Sequence, residues 1–406
     1  MEPIIFHVDV NSAYLAWSAV WELQNGIDRD IRNIPSVVAG NPKSRRGVVL
    51  AKSQPAKKYG IITGESLFTA FAKFPELVVV QARFKEYSKA SNDMAKILSH
   101  YSSVLERYSI DECFLDMGTL NRSEALRKAH TIRQEILDKL GFTVNVGIGA
   151  NKLTAKMASD FQKPNQVHSL FPDEIKTKFH PLPIDELFMV GPALAKKLRN
   201  INISTIGDLA SFDPEFLFKQ FGKIGLTIWR FAKGIDDTPV HPEGSQETKG
   251  MGHSTTLAED LTKRADCHQT IQSLLDTLVE RLQKAHFHTT CVAVHYTTST
   301  FKTRRRQRML SQQTDSYDLL YLVSRQLFDD IWEDQPLRKI GVSFTHLRSN
   351  KIVQLSMMNL EEHQKQDRLE DTLSTIRKRF GDEALIRGTS VTKDLEDLDD
   401  ESDLSF

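Results

Sequence analysis

The chain has 406 residues, 40% of them hydrophobic and 26% charged, with a formal net charge of +0 and three cysteines. That length suits roughly two to four domains, each able to bury its own core, and no run approaches the roughly 20 consecutive apolar residues of a membrane span. Cys113, Cys267 and Cys291 lack CxxC spacing, which argues against a disulfide framework or a structural zinc site, and the opening "MEPIIFHVDV" has no basic leader, so a cytoplasmic protein outside the membrane is expected.

Ile4, Phe6, Val8 and Val10 alternate with Ile5, His7 and Asp9. This period of two predicts a first strand with Asp9 near its end. Residues 12 to about 77 form an insertion with helical and strand segments of its own. From Phe84 to Leu105 the apolar residues Phe84, Tyr87, Ala90, Met94, Ile97, Leu98, Tyr101 and Leu105 recur at helical spacing, so a helix is predicted to feed directly into "YSIDECFLDM" at 108–117. A helix over about 123–140 closed by Gly141, a strand over 142–149 and a helix from Asn151 follow. Strand, helix, paired strands, helix, strand, helix describes an α+β layer with helices on one face, broadly ferredoxin-like.

After "KPNQVHSLFPDE" come short helices separated by glycine turns, then a polar linker, "GIDDTPVHPEGSQETKG", and a final α/β unit containing "CVAVHYTTSTFKTRRRQRML" and "LRKIGVSFTHL". Four modules fit the length. The net charge conceals a segregation: residues 281–310 carry seven basic and no acidic residues, whereas after Lys393 there are seven acidic and no basic ones. Tail charges are screened within about 10 Å, so an acidic tail leaves a distant basic face intact.

Asp111 and Glu112 stand side by side in a strand-like run, where neighbouring side chains point to opposite faces. They can share a site only if the chain bends at "SIDEC", and a hairpin there would let the first strand bring Asp9 alongside. Three carboxylates gathered together repel unless cations neutralise them, and hard oxygen ligands point to magnesium or manganese. Two such ions suit phosphoryl transfer. A solvated hairpin explains the same pair of residues without chemistry, and taken alone the pattern leaves both readings open. Read alone, too, Tyr14 is a core aromatic, and Lys57 and Lys152 are solvated surface lysines.

Together, "FHVDVNSAY", "YSIDECFLDM", "VGIGANKLTAKMASD", "KPNQ" and "GHSTTL" resemble the Y-family translesion DNA polymerases of the bacterial DinB/UmuC group, in the family's order and over residues 1 to about 390. The resemblance implies a right-handed polymerase: a ferredoxin-like palm (1–11 and 78–165), small fingers (12–77), a helical thumb with helix-hairpin-helix (166–238), a linker (239–248), an α/β little finger (249–353) and a tail (354–406). It implies a monomeric DNA-directed DNA polymerase that acts in DNA repair and the SOS response, extending a primer on a template with deoxynucleoside triphosphates and two magnesium ions, for which manganese can substitute.

Residue by residue, the resemblance places the metals on Asp9, Asp111, Glu112 and the Val10 carbonyl, and a steric gate against ribonucleotides at Tyr14. It puts the incoming nucleotide on Ser53, Gln54, Lys57 and Lys152; the family usually has tyrosine at the Gln54 position and arginine at Lys57, where lysine loses the bidentate fork. "LFMVGPALAKKLRN" resembles a helix-hairpin-helix, with Lys196, Lys197 and Arg199 as DNA contacts. Lys302, Arg304, Arg306 and Arg308 are spaced to share one face of a strand and track a phosphate backbone, with Arg305 pointing elsewhere; an edge strand protected by charge is the plainer alternative. "QLSMM", through Gln354, Leu355, Met357 and Met358, resembles a sliding-clamp-binding peptide. Two rival functions share parts of this pattern, a metal-dependent nuclease and a non-catalytic DNA-binding or clamp-recruited module.

Overall fold

The computed structural model describes residues 2–41, 47–242, 248–349 and 372. The chain divides into two compact units, the described residues up to 242 falling in the first and 248–349 in the second.

The first unit opens with β1 (Glu2–Val10), whose Ile4, Phe6, Val8 and Val10 enter the largest core. Helix α1 (Ala13–Gln24) adds Ala13, Leu15, Ala16, Trp17 and Ala19 to that same core, so the first helix of the expected fingers insertion packs as part of the palm. The fingers proper hold β2 (Ser36–Ala39), β3 (Val49–Lys52), α2 (Gln54–Lys58), α3 (Leu67–Lys73) and β4 (Val78–Gln81), with strand order β3-β2-β4. Because β4 pairs in parallel with β2, the fingers sheet runs on to Gln81, beyond the expected boundary at 77.

Helix α4 (Phe84–Ser99) stops well short of the predicted Leu105. The Ser102 hydroxyl donates to the Asp116 carbonyl, 2.5 Å away, and accepts from the Val104 N–H, which turns the chain into a short strand, β5 (Leu105–Arg107). Then follow β6 (Glu112–Leu120), α5 (Arg122–Leu140), β7 (Val144–Gly149), α6 (Lys152–Asp160) and β8 (Val167–Leu170). Asn121 caps α5 by accepting from the Glu124 N–H, and Gly141 ends it at φ 75°, a conformation that favours glycine.

The palm sheet has the order β5-β6-β1-β7-β8, and its first four strands with α4 and α5 are the expected ferredoxin-like layer. β8 extends it past 165, so the thumb does not begin at 166. The helices are not all on one face. The face of β1 carrying Ile5, His7 and Asp9 is covered by α6, which approaches so closely that a Cβ on Gly147 would lie 1.9 Å from the Ala155 carbonyl oxygen. Glycine there is what admits the helix. On its other side α6 gives Leu153, Met157 and Ala158 to the thumb core. That core is completed by α7 (Pro192–Arg199), α8 (Ile206–Ser211), α9 (Pro214–Phe221) and α10 (Lys223–Ala232). In "LFMVGPALAKKLRN" the helix begins after Gly191 as α7, and a 3-10 turn (Ile184–Glu186) lies just ahead of this stretch, with a π-helical turn (Ile175–Phe179) before that.

The second unit contains β9 (Gly250–Leu261), α11 (Arg264–Lys284), β10 (His288–Thr298), β11 (Thr303–Thr314), α12 (Tyr317–Asp329) and β12 (Leu337–Arg348). Its sheet order is β11-β10-β12-β9. Val292, Val294 and Tyr296 of β10 point into a core built with α11 and α12. Among the described residues no helix is long and apolar enough to cross a membrane.

Candidate active site

The turn required between Asp111 and its neighbours is present. Tyr108 and Ser109 N–H groups both donate to the Glu112 carbonyl (2.9 and 3.2 Å), which closes the β5–β6 hairpin, leaves Asp111 in the turn and makes Glu112 the first residue of β6. The antiparallel register then sets Glu112 directly opposite Asp9, while the Val10 N–H donates to the Asp111 carbonyl (3.0 Å). One cavity of about 360 Å³ is lined by Asp9, Val10, Asp111 and Glu112 from the palm, by Asn11, Ser12, Ala13 and Tyr14 beyond β1, and by Leu50, Ala51, Lys52, Thr63 and Lys163. Folding thus gathers residues that are more than 100 positions apart.

The electrostatics depart from expectation in one respect. Among the described residues no three acidic, histidine or cysteine side chains converge as a ready-made metal-binding group. Each carboxylate has a nearer partner. Lys163 is ion-paired with Asp9 and lies 2.7 Å from Asp160; Lys156 Nζ is 2.6 Å from Glu112; the Ser109 hydroxyl donates to Asp111 at 2.6 Å. Burial pushes the Asp9 carboxyl up, against the pull of Lys163. Burial acts on Glu112 in the same sense, but His7 and Lys156 outweigh it and hold that carboxyl at about 2. His7 lies 3.9 Å from Glu112, too far for a hydrogen bond, and its own burial lowers its pKa. Lysine ammonium groups therefore supply the positive charge that the paired carboxylates demand. The donor set remains one of hard oxygens facing a single cavity, which fits magnesium or manganese.

Lys163 and Lys156 were not singled out by the sequence reading, although both lie within quoted motifs. The fold, not the sequence, sorts them: Lys152, Lys156 and Lys163 each meet an acid, on β5, β6 and β1 respectively. Lys152 is the member that disappoints. Its Nζ is buried and donates to both oxygens of Glu106 (2.7 and 2.8 Å), and Lys152 is not among the residues lining the cavity. Ser53 is also committed elsewhere: buried, it caps α2 through the Ala56 N–H (3.1 Å) and donates to the Ile34 carbonyl (2.7 Å). Gln54 and Lys57 are exposed and do not line the cavity, whereas Lys52 does, with its Nζ on the Ile61 carbonyl at 2.6 Å. Burial and the neighbouring Lys57 lower the Lys52 pKa.

Tyr14 packs in the core and also reaches the cavity. It stacks on Tyr87 (ring centroids 4.9 Å apart) and meets Phe84 edge-on, yet its exposed part forms cavity wall. Burial raises its pKa, with Asp111 adding to the effect, so the phenol stays neutral.

On the thumb, Lys196, Lys197 and Arg199 are exposed along α7, and Arg199 is ion-paired with Asp185. In the second unit Arg304, Arg306 and Arg308 do share a face, as their spacing predicts. They sit opposite Tyr296, Val294 and Val292, however, which puts them on the helix-covered side. An acidic partner exists after all: Asp330 lies 3.4 Å from Arg306 and 3.6 Å from Arg308. Arg305, opposite His295, takes the open face, and Lys302 precedes the strand. Gln354, Leu355, Met357 and Met358 lie outside the described residues.

Residues 8–160 match the impB/mucB/samB family, 248–357 its C-terminal domain, and 185–236 the DNA polymerase-iota thumb domain. DNA polymerase IV of Clostridium acetobutylicum is 42% identical over 395 residues, covering 97% of this chain and all of that one. DNA polymerase IV 2 of Bacillus subtilis is 33% identical, covering 96% and 95%. Among solved structures, a Y-family DNA polymerase chimera of Dbh and Dpo4 is similar with a TM-score of 0.75 and 24% identity, over 86% of this chain and all of that one.

Proposed function

The chain belongs to the Y-family of DNA polymerases, the bacterial DinB type, and from that premise we propose that the cavity below β3 is where a primer 3′-hydroxyl attacks the α-phosphate of an incoming deoxynucleotide. The protein is a translesion DNA polymerase with DNA and deoxynucleotides as substrates and a requirement for divalent metal. The observation that carries the site reading is that Asp9, Asp111, Glu112, Tyr14 and Lys163 all line one cavity. Asp9, Asp111 and Glu112, with the Val10 carbonyl, would hold two magnesium ions, for which manganese can substitute. When bound, such ions neutralise charge on the phosphate oxygens and lower the pKa of the attacking hydroxyl.

The side chains of the cavity have separable tasks. Lys163 offers the polyphosphate a cation that Asp9 holds at the cavity wall. Lys52 offers a second from β3. The Tyr14 ring, fixed by Tyr87, stands where a sugar 2′-hydroxyl would meet it. Lys196, Lys197 and Arg199, Lys302, and Arg304, Arg305, Arg306 and Arg308 on the edge strand are exposed or half-buried cations suited to DNA phosphates. The same reading takes the chain as a cytoplasmic monomer engaged by a sliding clamp at Gln354, Leu355, Met357 and Met358, on the support of that short sequence alone. Primer extension by the Asp9→Asn protein tests the site: incorporation should be lost with folding intact, and a wild-type rate would remove the assignment.

A further inference from the structure

The register that sets Glu112 on one side of Asp9 sets Asn145 on the other, on the neighbouring strand β7. Asn145 is fully buried, and every hydrogen-bonding position of its amide is used. Its Nδ2 donates to the Ser159 and Gln162 carbonyls (2.8 and 2.7 Å), and its Oδ1 accepts from the Gln166 N–H (3.2 Å) and from Asn11 Nδ2 (3.1 Å). Asn11 in turn accepts from the Asn165 N–H at 2.8 Å. These contacts fall on both sides of Lys163, at 159 and 162 before it and at 165 and 166 after it. Asn165 adopts φ 59°, a left-handed conformation that asparagine tolerates, and Arg133 grips its carbonyl at 2.9 Å. Asp9 and Asp160 hold the Lys163 ammonium, but the flexible four-carbon stem reaches them only from where the backbone of the loop starts it.

We propose that Asn145 and Asn11 are positioning residues that hold the 161–166 loop so that Lys163 is presented to the polyphosphate of the incoming nucleotide. The inference rests on the reading of the cavity as a nucleotide site. An asparagine serving stability alone needs only satisfied hydrogen bonds. Here two of the four bonds of Asn145 go to the 161–166 loop that delivers Lys163, a third to Ser159 in the last turn of α6 that leads into it, and the fourth to the side chain holding Asn165.

The test is a double-mutant cycle in single-nucleotide incorporation with the full chain, template, primer and magnesium. Asn145→Ala is expected to raise the KM for deoxynucleotide about tenfold while kcat changes far less, the loss of one or two buried hydrogen bonds' worth of alignment. In a Lys163→Ala background the same change should add almost nothing to KM, because there is no longer a cation to aim. Asn11→Ala, which spares the Asn145 bonds to residues 159 and 162, should behave alike and serves if Asn145→Ala does not fold. Multiplicative KM effects in the double variant, or unchanged KM for both asparagine variants, would overturn the proposal. Asp111→Asn in the same assay separates the two readings: if it keeps full activity, the cavity assignment fails, whatever the cycle gives.

Discussion

Lys152 and Glu106 form a buried ion pair in which one ammonium serves both carboxylate oxygens, at 2.7 and 2.8 Å. The same carboxylate accepts the His241 N–H at 2.8 Å, so the pair also fastens the start of the linker to the palm. Lys152→Ala takes the ammonium away from the buried Glu106 carboxylate and should lower stability by about 3 kcal/mol. Chemical denaturation measures it; a protein of wild-type stability with a raised nucleotide KM would restore Lys152 to the phosphate site.

Tyr14 is held against Tyr87 and reaches the cavity wall, so its removal opens space without dissolving the core stack of Trp17, Tyr87 and Phe142. Tyr14→Ala should raise the incorporation of ribonucleotides relative to deoxynucleotides by about tenfold or more, and Tyr14→Phe should leave it unchanged. Measured sugar discrimination that stays the same in the alanine variant would contradict the gate.

Asp330 sits between Arg306 and Arg308, offsetting their charge. Asp330→Asn should tighten primer-template binding, and Arg305→Ala on the open face should weaken it and flatten the salt dependence by about one unit of slope. Binding titrations at several salt concentrations decide; identical slopes for Arg305→Ala and wild type would take that residue off the DNA path.

All three cysteines are buried, and burial, with Asp266 adding to it, pushes the Cys267 thiol up to about 12 from 9.0. A thiol reagent at pH 8 should find none of them until denaturant is added. The folded pKa is the higher one, so the Cys267 contribution to stability is present below pH 9 and lost as pH rises towards 12. The Cys267→Ala protein should therefore lose less stability over that range. Stoichiometric labelling of the native protein would refute the burial.

Much of the site was legible because strand alternation and the adjacent acids constrain each other: only a hairpin can bring Asp111, Glu112 and Asp9 together, and the hairpin is there. The end of α4 was not legible, since Tyr101 and Leu105 continue the helical period and the stop depends on the Ser102 bond to Asp116, fourteen residues on. Lys152, Lys156 and Lys163 look alike in the sequence. Which of them faces the cavity is set by α6 settling onto Gly147 and Gly149 and by where Glu106, Glu112 and Asp9 fall on three adjacent strands. For β11 the spacing placed three arginines on one face, but the register with Val292, Val294 and Tyr296 decides which face, and that information lies in another strand.

Asp111 is the carboxylate with least to do in the fold: it lies in the turn, half-buried, and among the described residues the Ser109 hydroxyl is the one donor to its side chain. Its replacement should therefore spare stability and strike chemistry. Primer extension on a DNA template with magnesium, wild type against Asp111→Asn, should show incorporation falling by about a thousandfold or more, with an unfolding midpoint close to that of wild type. Extension by the Asp111→Asn protein at the wild-type rate would mean that this cavity is not where nucleotides are joined.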